Sequence, residues 1–277
     1  MQPEDIQAIR KALANNPAAA GNFQLTTKDN NRWFCKFNDA RKYPDLFATE
    51  TRGLALLAAQ NLFRIPKVIA ATQMDETQLL VLEYIEEGPR TPAFWRRFGE
   101  QLALLHRITQ PAFGLEFDNY MGLLPQNNTS TPGWITFFRD RRLQPQLELA
   151  ADRGLLPGGL LPRFERLFAR LPEFFPPEPP ALLHGDLWSG NFLCDTESRP
   201  VLIDPAVHFG HRHMDLAMTK LFGGFEPAFY QAYHANYPFP PGYREQWEIA
   251  NLYPLLVHVN IFGPRWLRHI LPIMERF

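Results

Sequence analysis

The stretch that most constrains this chain is NFLCDTESRPVLID, residues 191–204, in which two short apolar runs flank a polar turn. That pattern predicts a β-hairpin. Asn191 precedes the first strand and Asp204 ends the second, so the two ends of the hairpin are expected to lie side by side. An amide oxygen and a carboxylate brought to one point are ligands that Mg²⁺ prefers. The sequence therefore predicts a magnesium site formed by Asn191 and Asp204.

An aspartate lies just upstream, in LLHGDLWSGN, residues 182–191. Asp186 precedes Asn191 by five residues, which is the spacing of the catalytic aspartate and the metal-binding asparagine in kinase catalytic loops. Asp, Asn and Gly are also turn residues, so a plain turn is the alternative for these residues taken alone. Together with the hairpin, the spacing favours a site in which Asp186 meets the hydroxyl of a substrate.

Nucleotide contacts are predicted near the N-terminus. Lys36 lies in the otherwise aromatic strand RWFCKF, and Glu50 lies on the next predicted helix. Kinases use such a strand lysine and helix glutamate to position the α- and β-phosphates of ATP. The alternative is a lysine that extends to the surface beside an exposed glutamate. The segment LVLEYIEEG is typical of a hinge strand, where the Glu83 carbonyl and the Ile85 amide would meet the adenine edge.

The pattern of elements predicts an α+β fold with two lobes. Residues 1–85 show a first amphipathic helix, strands and one internal helix, which is typical of a small β-rich, nucleotide-binding lobe. The turn EEGP at 86–89 marks the boundary, and residues 86–277 form a larger, mainly helical lobe. Helices are predicted there from the cap at Thr91 onward and at 134–150, 160–171, 213–222, 226–236 and 243–257.

Composition excludes several classes of protein. The 277 residues carry a formal net charge of −1 and no basic block, which argues against a nucleic-acid partner. The two cysteines, Cys35 and Cys194, are too few for a disulfide framework or a zinc site and favour a reducing compartment. No segment approaches the roughly 18 apolar residues of a membrane span, and the N-terminus does not resemble a signal peptide. We therefore expect a cytoplasmic protein without a membrane partner.

Asp215 and three histidines follow the hairpin, and the role of each can be interpreted in two ways. Asp215 begins a predicted helix, where it is either an ordinary cap or a brace for the Asp186 loop. The segment HFGHRH holds His208, His211 and His213, whose spacing fits no standard structural zinc pattern. We interpret these three as loop histidines rather than as metal ligands.

Several longer segments, in the same order, resemble the fructosamine kinase (ketosamine-3-kinase) family within the protein-kinase-like fold. They are GLLPQNN, FFRDRRLQPQL, LLHGDLWSGN, VLIDPAVHFGHRHMDLAMTKLFGGF, FYQAYHANYP and VHVNIFG. The resemblance extends from about residue 33 to the C-terminus. It implies an ATP- and Mg²⁺-dependent kinase for ketosamines, the sugar adducts of amines, and hence a role in deglycation.

Two features separate this family from choline, homoserine and aminoglycoside kinases. Asp204 is followed by Pro205 and Ala206 rather than by an aromatic residue and an acid, and Trp188 follows the catalytic loop aspartate. One feature departs from the family, because the segment NNPAAAGNFQLTTKDNN contains only Gly21 where a phosphate-covering loop often carries several glycines. We therefore assign no residue to a phosphate clamp.

The acceptor is predicted to contact Trp188, His258 and Asn260. Trp188 lies two residues after Asp186, and His258 and Asn260 alternate in VHVNIFG, a segment that breaks helical apolar spacing. The alternative is that these residues pack in the core, in which case Gln126 and Asn127 are the next candidates. Two other functions stay open, namely a kinase for another small amine or sugar and an inactive kinase-like binding module. The preferred ketosamine, free or protein-bound, and the oligomeric state are also open.

Overall fold

The computed structural model describes residues 2–15 and 20–277. Its strands are β1 (Gly21–Thr26), β2 (Arg32–Asp39), β3 (Val68–Met74), β4 (Thr77–Glu83), β5 (Asn119–Met121), β6 (Leu124–Gln126), β7 (Ala181–Leu183), β8 (Phe192–Cys194), β9 (Pro200–Leu202) and β10 (His208–Gly210). Part of the glycine-poor segment, residues 16–19, lies outside the described residues.

The helices are α1 (Pro3–Ala14), α2 (Leu46–Ala58), α3 (Pro92–Leu105), α4 (Trp134–Phe138), α5 (Gln144–Asp152), α6 (Leu160–Phe174), α7 (His213–Leu221), α8 (Pro227–Asn236), α9 (Tyr243–Ala250), α10 (Leu252–Phe262) and α11 (Leu267–Met274). A π-helical segment, Arg139–Leu143, joins α4 to α5. Within residues 2–15 and 20–277, no helix has the length and apolar character needed to cross a membrane.

The N-terminal part is an antiparallel sheet in the order β1-β2-β4-β3. Side chains alternate between its two faces because the period of a strand is two residues. Leu79 and Val81 pack with Ile9 of α1, whereas Leu80 and Leu82 pack against α2. Lys36 pairs with Leu80 across β2 and β4, so it lies on the face that α2 covers. Strand parity therefore directs this lysine toward the helix that carries Glu50.

The rest of the chain is mainly helical and is built around one large apolar core. Its first helix, α3, begins as the sequence predicts: the Thr91 side chain accepts a hydrogen bond of 3.2 Å from the Phe94 amide, and Pro92 occupies the first turn. The helices predicted at 160–171, 213–222 and 226–236 are confirmed, with ends that differ by a few residues, and the helix predicted at 134–150 is divided into α4, the π-helical segment and α5. The division into lobes at residues 85 and 86 stays a prediction.

The predicted hairpin is confirmed as β8 and β9, with Phe192 opposite Leu202. The sequence did not predict the β5–β6 hairpin or α11. The helix predicted over 243–257 is instead two helices that meet at Asn251, and α10 continues to Phe262. Because α10 is buried around most of its surface, it shows no polar stripe with helical period, which explains why VHVNIFG breaks the apolar spacing of an amphipathic helix although most of it is helical.

A glycine sets how closely α3 approaches α8. A Cβ atom on Gly99 would collide with the carbonyl oxygen of Phe229 and lie 2.9 Å from the Tyr233 nitrogen. Helix propensity alone would make alanine at this position stabilising by about 1 kcal/mol. Overpacking at a backbone contact acts in the opposite direction and costs roughly 1–3 kcal/mol.

We therefore predict that Gly99→Ala lowers the free energy of unfolding, measured by urea denaturation. Gly158→Ala is the matched control because a Cβ atom there meets nothing within 4 Å. Its effect should stay within about 0.5–1 kcal/mol. A stabilised Gly99→Ala protein would show that the two helices are free to move apart.

Candidate active site

The hairpin brings together the three side chains that the catalytic-loop spacing singled out. The Asn191 amide donates to the Asp186 carboxylate at 2.8 Å and to the Asp186 carbonyl at 2.9 Å. The Ile203 amide donates to the Asn191 carbonyl at 3.2 Å, which fixes Asp204 beside the start of β8. With its amide nitrogen engaged, Asn191 has its amide oxygen available as a ligand. Asp186, Asn191 and Asp204 line the same cavity, while their convergence on one metal ion and their chemical roles stay predictions.

Lys36 joins the sheet, α2 and the hairpin. Its ammonium lies 2.8 Å from Glu50 and 3.0 Å from Asp204. The side chains of Lys36 and Glu50 are only 16% and 11% exposed, which excludes the alternative of a surface pair. Burial lowers the pKa of Lys36, but Glu50 and Asp204 outweigh that effect and the net shift is upward. The lysine is therefore held charged at the mouth of the hairpin.

Asp186 has an environment suited to accepting a proton. Burial raises the pKa of its carboxyl to about 7, with a further rise from the nearby Asp204 and Asp215, although the hydrogen bond from Asn191 acts in the opposite direction. A base is most effective when its pKa lies near the working pH. The carboxylate lines the cleft, where a bound hydroxyl would meet it.

Asp215 braces the loop that carries Asp186. Its two carboxylate oxygens accept hydrogen bonds from the amides of His184 at 2.8 Å and Gly185 at 2.9 Å. His106 Nε2 lies 3.2 Å from the same carboxylate. No side-chain cap begins α7, so the two readings left open by the sequence resolve in favour of the brace. Gly185 has φ +87°, and a Cβ there would collide with the Ala206 carbonyl.

The β5–β6 hairpin supports the backbone that follows Asp204. The Gln126 amide donates to the Ala206 carbonyl at 3.2 Å, and the Asn119 amide donates to the Val207 carbonyl at 2.9 Å. Both side chains are at most 5% exposed. Because Asp204 adopts φ +53°, a left-handed conformation, it depends on such external contacts to hold its geometry.

Further buried polar groups complete this support. The Tyr253 hydroxyl donates to Gln126 at 2.8 Å, Asn128 donates to Asn119 at 3.0 Å, and Arg142 donates to Asn128 at 2.6 Å. Burial lowers the pKa of Arg142 to about 10, and its guanidinium lies 4.5 Å from the Phe137 ring. Sequence reasoning missed Asn119, Asn128, Arg142 and Tyr253 and considered Gln126 only as an alternative acceptor residue, although the polar run PQNN beside apolar residues is a signal for buried hydrogen bonding. Asn127 is exposed.

The predicted hinge residues line a narrow apolar slot. Glu83 and Ile85 border a cavity of about 200 Å³ together with Leu193 and Ile203 of the hairpin region. The Glu83 carboxylate is engaged by Arg64 at 2.6 Å, and Arg64 also binds Asp195 at 2.8 Å. That ion-pair chain links the end of β4 to the end of β8. Most of the lining residues are apolar, as is common in pockets that bind small molecules.

Two larger cavities meet at Asp186. One, of about 360 Å³, contains Lys36, Asn191 and Asp204, and the other, of about 400 Å³, contains His258. Asp186 and Trp188 line both. A donor group in the first cavity and an acceptor group in the second would therefore face each other across the Asp186 carboxylate.

Asn260, which was predicted to contact the acceptor, does not line the cavity that contains His258. Asn260 is 6% exposed, and its amide donates to the carbonyl of Gln146 at 2.9 Å and to its side chain at 3.0 Å. Positions two apart on a helix face different directions, so His258 of α10 faces the cavity while Asn260 packs against α5. The prediction that Asn260 contacts the acceptor is therefore corrected to a role in helix packing.

Two of the three histidines of HFGHRH lie in regular elements rather than in a loop, whereas His211 lies in the loop between β10 and α7. His208 lies in β10, His213 begins α7, and all three side chains are at most 1% exposed. Burial lowers the pKa of His208 to about 3 and of His211 to about 4. Among residues 2–15 and 20–277, no cluster of three or more His, Cys, Asp or Glu side chains could hold a metal ion. These histidines are neutral core residues, as their aromatic neighbours Phe137 and Trp134 indicate.

Comparison with known proteins gives a consistent result. A family model described as fructosamine kinase matches residues 4–277. A relative named probable ketoamine kinase from Synechocystis sp. is 41% identical over 237 residues, which are 84% of this chain and 78% of the relative. Another protein with that name, from Enterococcus faecium, is 35% identical over 99% of this chain and 100% of its own length.

Solved structures agree with this result at the level of the fold. A structure from Thermobifida fusca, provisionally named fructosamine-3-kinase, has a TM-score of 0.84 at 35% identity and covers 94% of this chain and 90% of that one. A choline kinase from Streptococcus pneumoniae has a TM-score of 0.60 at 16% identity, over 99% and 100% of the two chains. These similarities confirm the predicted α+β, protein-kinase-like fold class.

The brace formed by Asp215 can be tested by replacing one oxygen. We predict that Asp215→Asn lowers the free energy of unfolding by about 1–3 kcal/mol, because one acceptor becomes a donor that faces a backbone amide. Thermal or urea unfolding would measure the change. Asn caps helices as well as Asp does. If Asp215→Asn leaves the free energy of unfolding unchanged, the result would favour the alternative in which Asp215 is an ordinary helix cap.

Proposed function

The chain belongs to the fructosamine kinase family, and we propose that it transfers the γ-phosphate of ATP to the 3-hydroxyl of ketosamines. The observation that carries this proposal is the position of Asp186, at the junction between a cavity rich in phosphate- and metal-binding groups and a second cavity for an acceptor. A carboxylate shared by two cavities suits the transfer of a group from a molecule in one cavity to a molecule in the other.

The nucleotide would occupy the slot and the first cavity. The adenine ring fits between the hinge and the hairpin, with its edge at the Glu83 carbonyl and the Ile85 amide. Lys36 would then contact the α- and β-phosphates, while Glu50 holds the lysine in place. The distance of 2.8 Å between these two side chains supports this assignment.

The chemistry of Asn191 and Asp204 fits a Mg²⁺ ion. The free amide oxygen of Asn191 and the carboxylate of Asp204, which is 41% exposed in the cleft, are hard oxygen ligands. A metal ion bound there would offset the negative charge of the phosphates. The buried network of Asn119 and Gln126 holds the backbone after Asp204 and so keeps its carboxylate aimed at the cleft.

Asp186 would act on the acceptor. It accepts the proton of the 3-hydroxyl as that oxygen bonds to the γ-phosphorus and the bond to the bridging oxygen breaks, which leaves ADP. Positioning and charge neutralisation supply most of the rate enhancement in such a reaction. Phosphate on C3 lies next to the C2 carbonyl and can leave by elimination, so the product would break down and release the amine. The proposed role is therefore deglycation in the cytoplasm.

Two other functions are distinguished by simple observations. A kinase for another small amine or sugar would prefer a different acceptor in a substrate panel. A catalytically inactive binding module would show no Mg²⁺-dependent turnover of ATP in the presence of a ketosamine. Against the inactive module, Lys36, Glu50, Asp186, Asn191 and Asp204 lie together in one cleft.

Two substitutions separate proton transfer from metal binding. We predict that Asp186→Asn lowers kcat by about 10²–10⁴ while the Kd for ATP changes little, because only the base is lost. Asp204→Ala should instead raise the Mg²⁺ concentration needed for half-maximal activity. Steady-state kinetics with a Mg²⁺ titration measure both effects. Near-normal turnover in Asp186→Asn would rule out its assignment as the base.

Two residues of α10 test the position of the acceptor. We predict that His258→Ala raises the KM for the ketosamine about three- to tenfold and leaves the KM for ATP unchanged, since one hydrogen bond to a neutral group is lost. Asn260→Ala is the matched comparison and should lower thermal stability without a selective change in either KM. Trp188→Ala should behave as His258→Ala does. Equal effects on both substrates would place the acceptor outside this cavity.

A further inference from the structure

The walls of the cavity that contains His258 are aromatic. Trp188 contacts Phe222 with ring centroids 5.7 Å apart, and Phe222 lies 6.0 Å from Trp266. Phe262 lies 6.4 Å from Trp266, and its side chain is 51% exposed at the end of α10. Val257, Ile261 and Met121 complete the lining. A sugar with several hydroxyls would need more polar partners than these walls offer.

Charge is scarce in the same cavity. Of its lining residues, Asp186 alone carries a charged side chain, and neither Lys nor Arg contributes to the lining within the part of the chain that the structure describes. Burial lowers the pKa of His258, and its Nδ1 lies 2.7 Å from the Pro254 carbonyl, so the ring is neutral. A carboxylate that entered this space would find no cationic partner and would lose its hydration.

The covalent structure of a ketosamine decides which part of the substrate occupies this space. Its nitrogen is attached to C1 and is four bonds from the oxygen on C3, so a 3-hydroxyl held at Asp186 places the nitrogen close to the same carboxylate. The cavity of about 360 Å³ on the other side holds Lys36, Asn191 and Asp204, the groups assigned to phosphate and metal. The nitrogen and its substituent are therefore directed into the aromatic cavity.

We propose that this cavity selects ketosamines whose nitrogen carries an apolar group and discriminates against those with a carboxylate on the carbon next to nitrogen. This inference rests on the proposed function and adds the class of amine to it. Aromatic faces attract the protonated secondary amine and exclude water from an alkyl or aryl substituent. The exposed Phe262 ring lies at the end of α10, where a longer substituent leaves toward solvent.

The test uses three adducts of one sugar, made with propylamine, glycinamide and glycine, which differ in the charge and polarity of a group of similar size. Release of ADP in the presence of ATP and Mg²⁺ gives kcat/KM for each. We expect the propylamine adduct to exceed the glycine adduct by about tenfold or more, with the glycinamide adduct between them.

Replacing the exposed ring of Phe262 by a charged side chain should change the order of kcat/KM among the three adducts. Phe262→Lys should raise kcat/KM for the glycine adduct and lower it for the propylamine adduct, while the KM for ATP stays constant. Leu161→Ala is the control, because it removes another exposed apolar side chain, 44% exposed on α6. It should change neither the ratio of kcat/KM between the propylamine and glycine adducts nor the KM for ATP. A glycine adduct that matches the propylamine adduct, or a ratio unchanged in Phe262→Lys, overturns the inference while the kinase function stands. Absence of turnover with all three adducts overturns both.

Discussion

The ion pairs that the Lys36 ammonium forms are the interactions on which the rest of the site depends. The ammonium lies between Glu50 of α2 and Asp204 at the end of the β8–β9 hairpin, and so it joins the sheet to the helical part of the chain. Removing one partner from a buried ion pair leaves an uncompensated charge and costs about 3–5 kcal/mol. The paired arrangement is therefore favoured over one in which Lys36 or Glu50 is left alone, and it places a positive charge where the phosphates of a nucleotide would lie.

Two supports keep the opposite side of the cleft in register with this lysine. Asp215 holds the loop before Asp186 through the amides of His184 and Gly185. The β5–β6 hairpin holds the carbonyls that follow Asp204. Both supports act on the backbone, one through its amides and the other through its carbonyls, and neither places a charged side chain inside the cavities. Effective phosphoryl transfer requires reacting atoms in near-attack geometry, and rigid loops of this kind provide it.

Local pattern predicted the parts of the molecule whose cause is local. The alternation in RWFCKF, the polar turn of residues 195–199 and the cap at Thr91 each act within a few residues, and the corresponding strand, hairpin and helix are confirmed. The sequence also predicted Glu50 as the partner of Lys36, and the register of β2 and β4 explains why the two side chains meet. The β5–β6 hairpin escaped prediction because it is held by hydrogen bonds from Asn119 and Gln126 to carbonyls distant in the sequence.

The same distinction explains the errors in the site. Asn260, His208 and His213 were judged by residue type, whereas their roles depend on which face of a buried element they occupy. α10 is apolar around most of its circumference, so its sequence carries no periodic signal that would separate the face of His258 from that of Asn260. The aromatic character of the acceptor cavity was hidden for a related reason, because its rings come from three separate segments.

The position of the new phosphate bond tests the central claim most directly. The purified protein would be incubated with ATP, Mg²⁺ and the propylamine ketosamine, and the product examined by phosphorus-31 NMR with correlation to the sugar protons. The account predicts a phosphomonoester resonance coupled to the proton on C3, formed together with ADP. A phosphate on another oxygen, or release of inorganic phosphate alone, would contradict the placement of the 3-hydroxyl at Asp186.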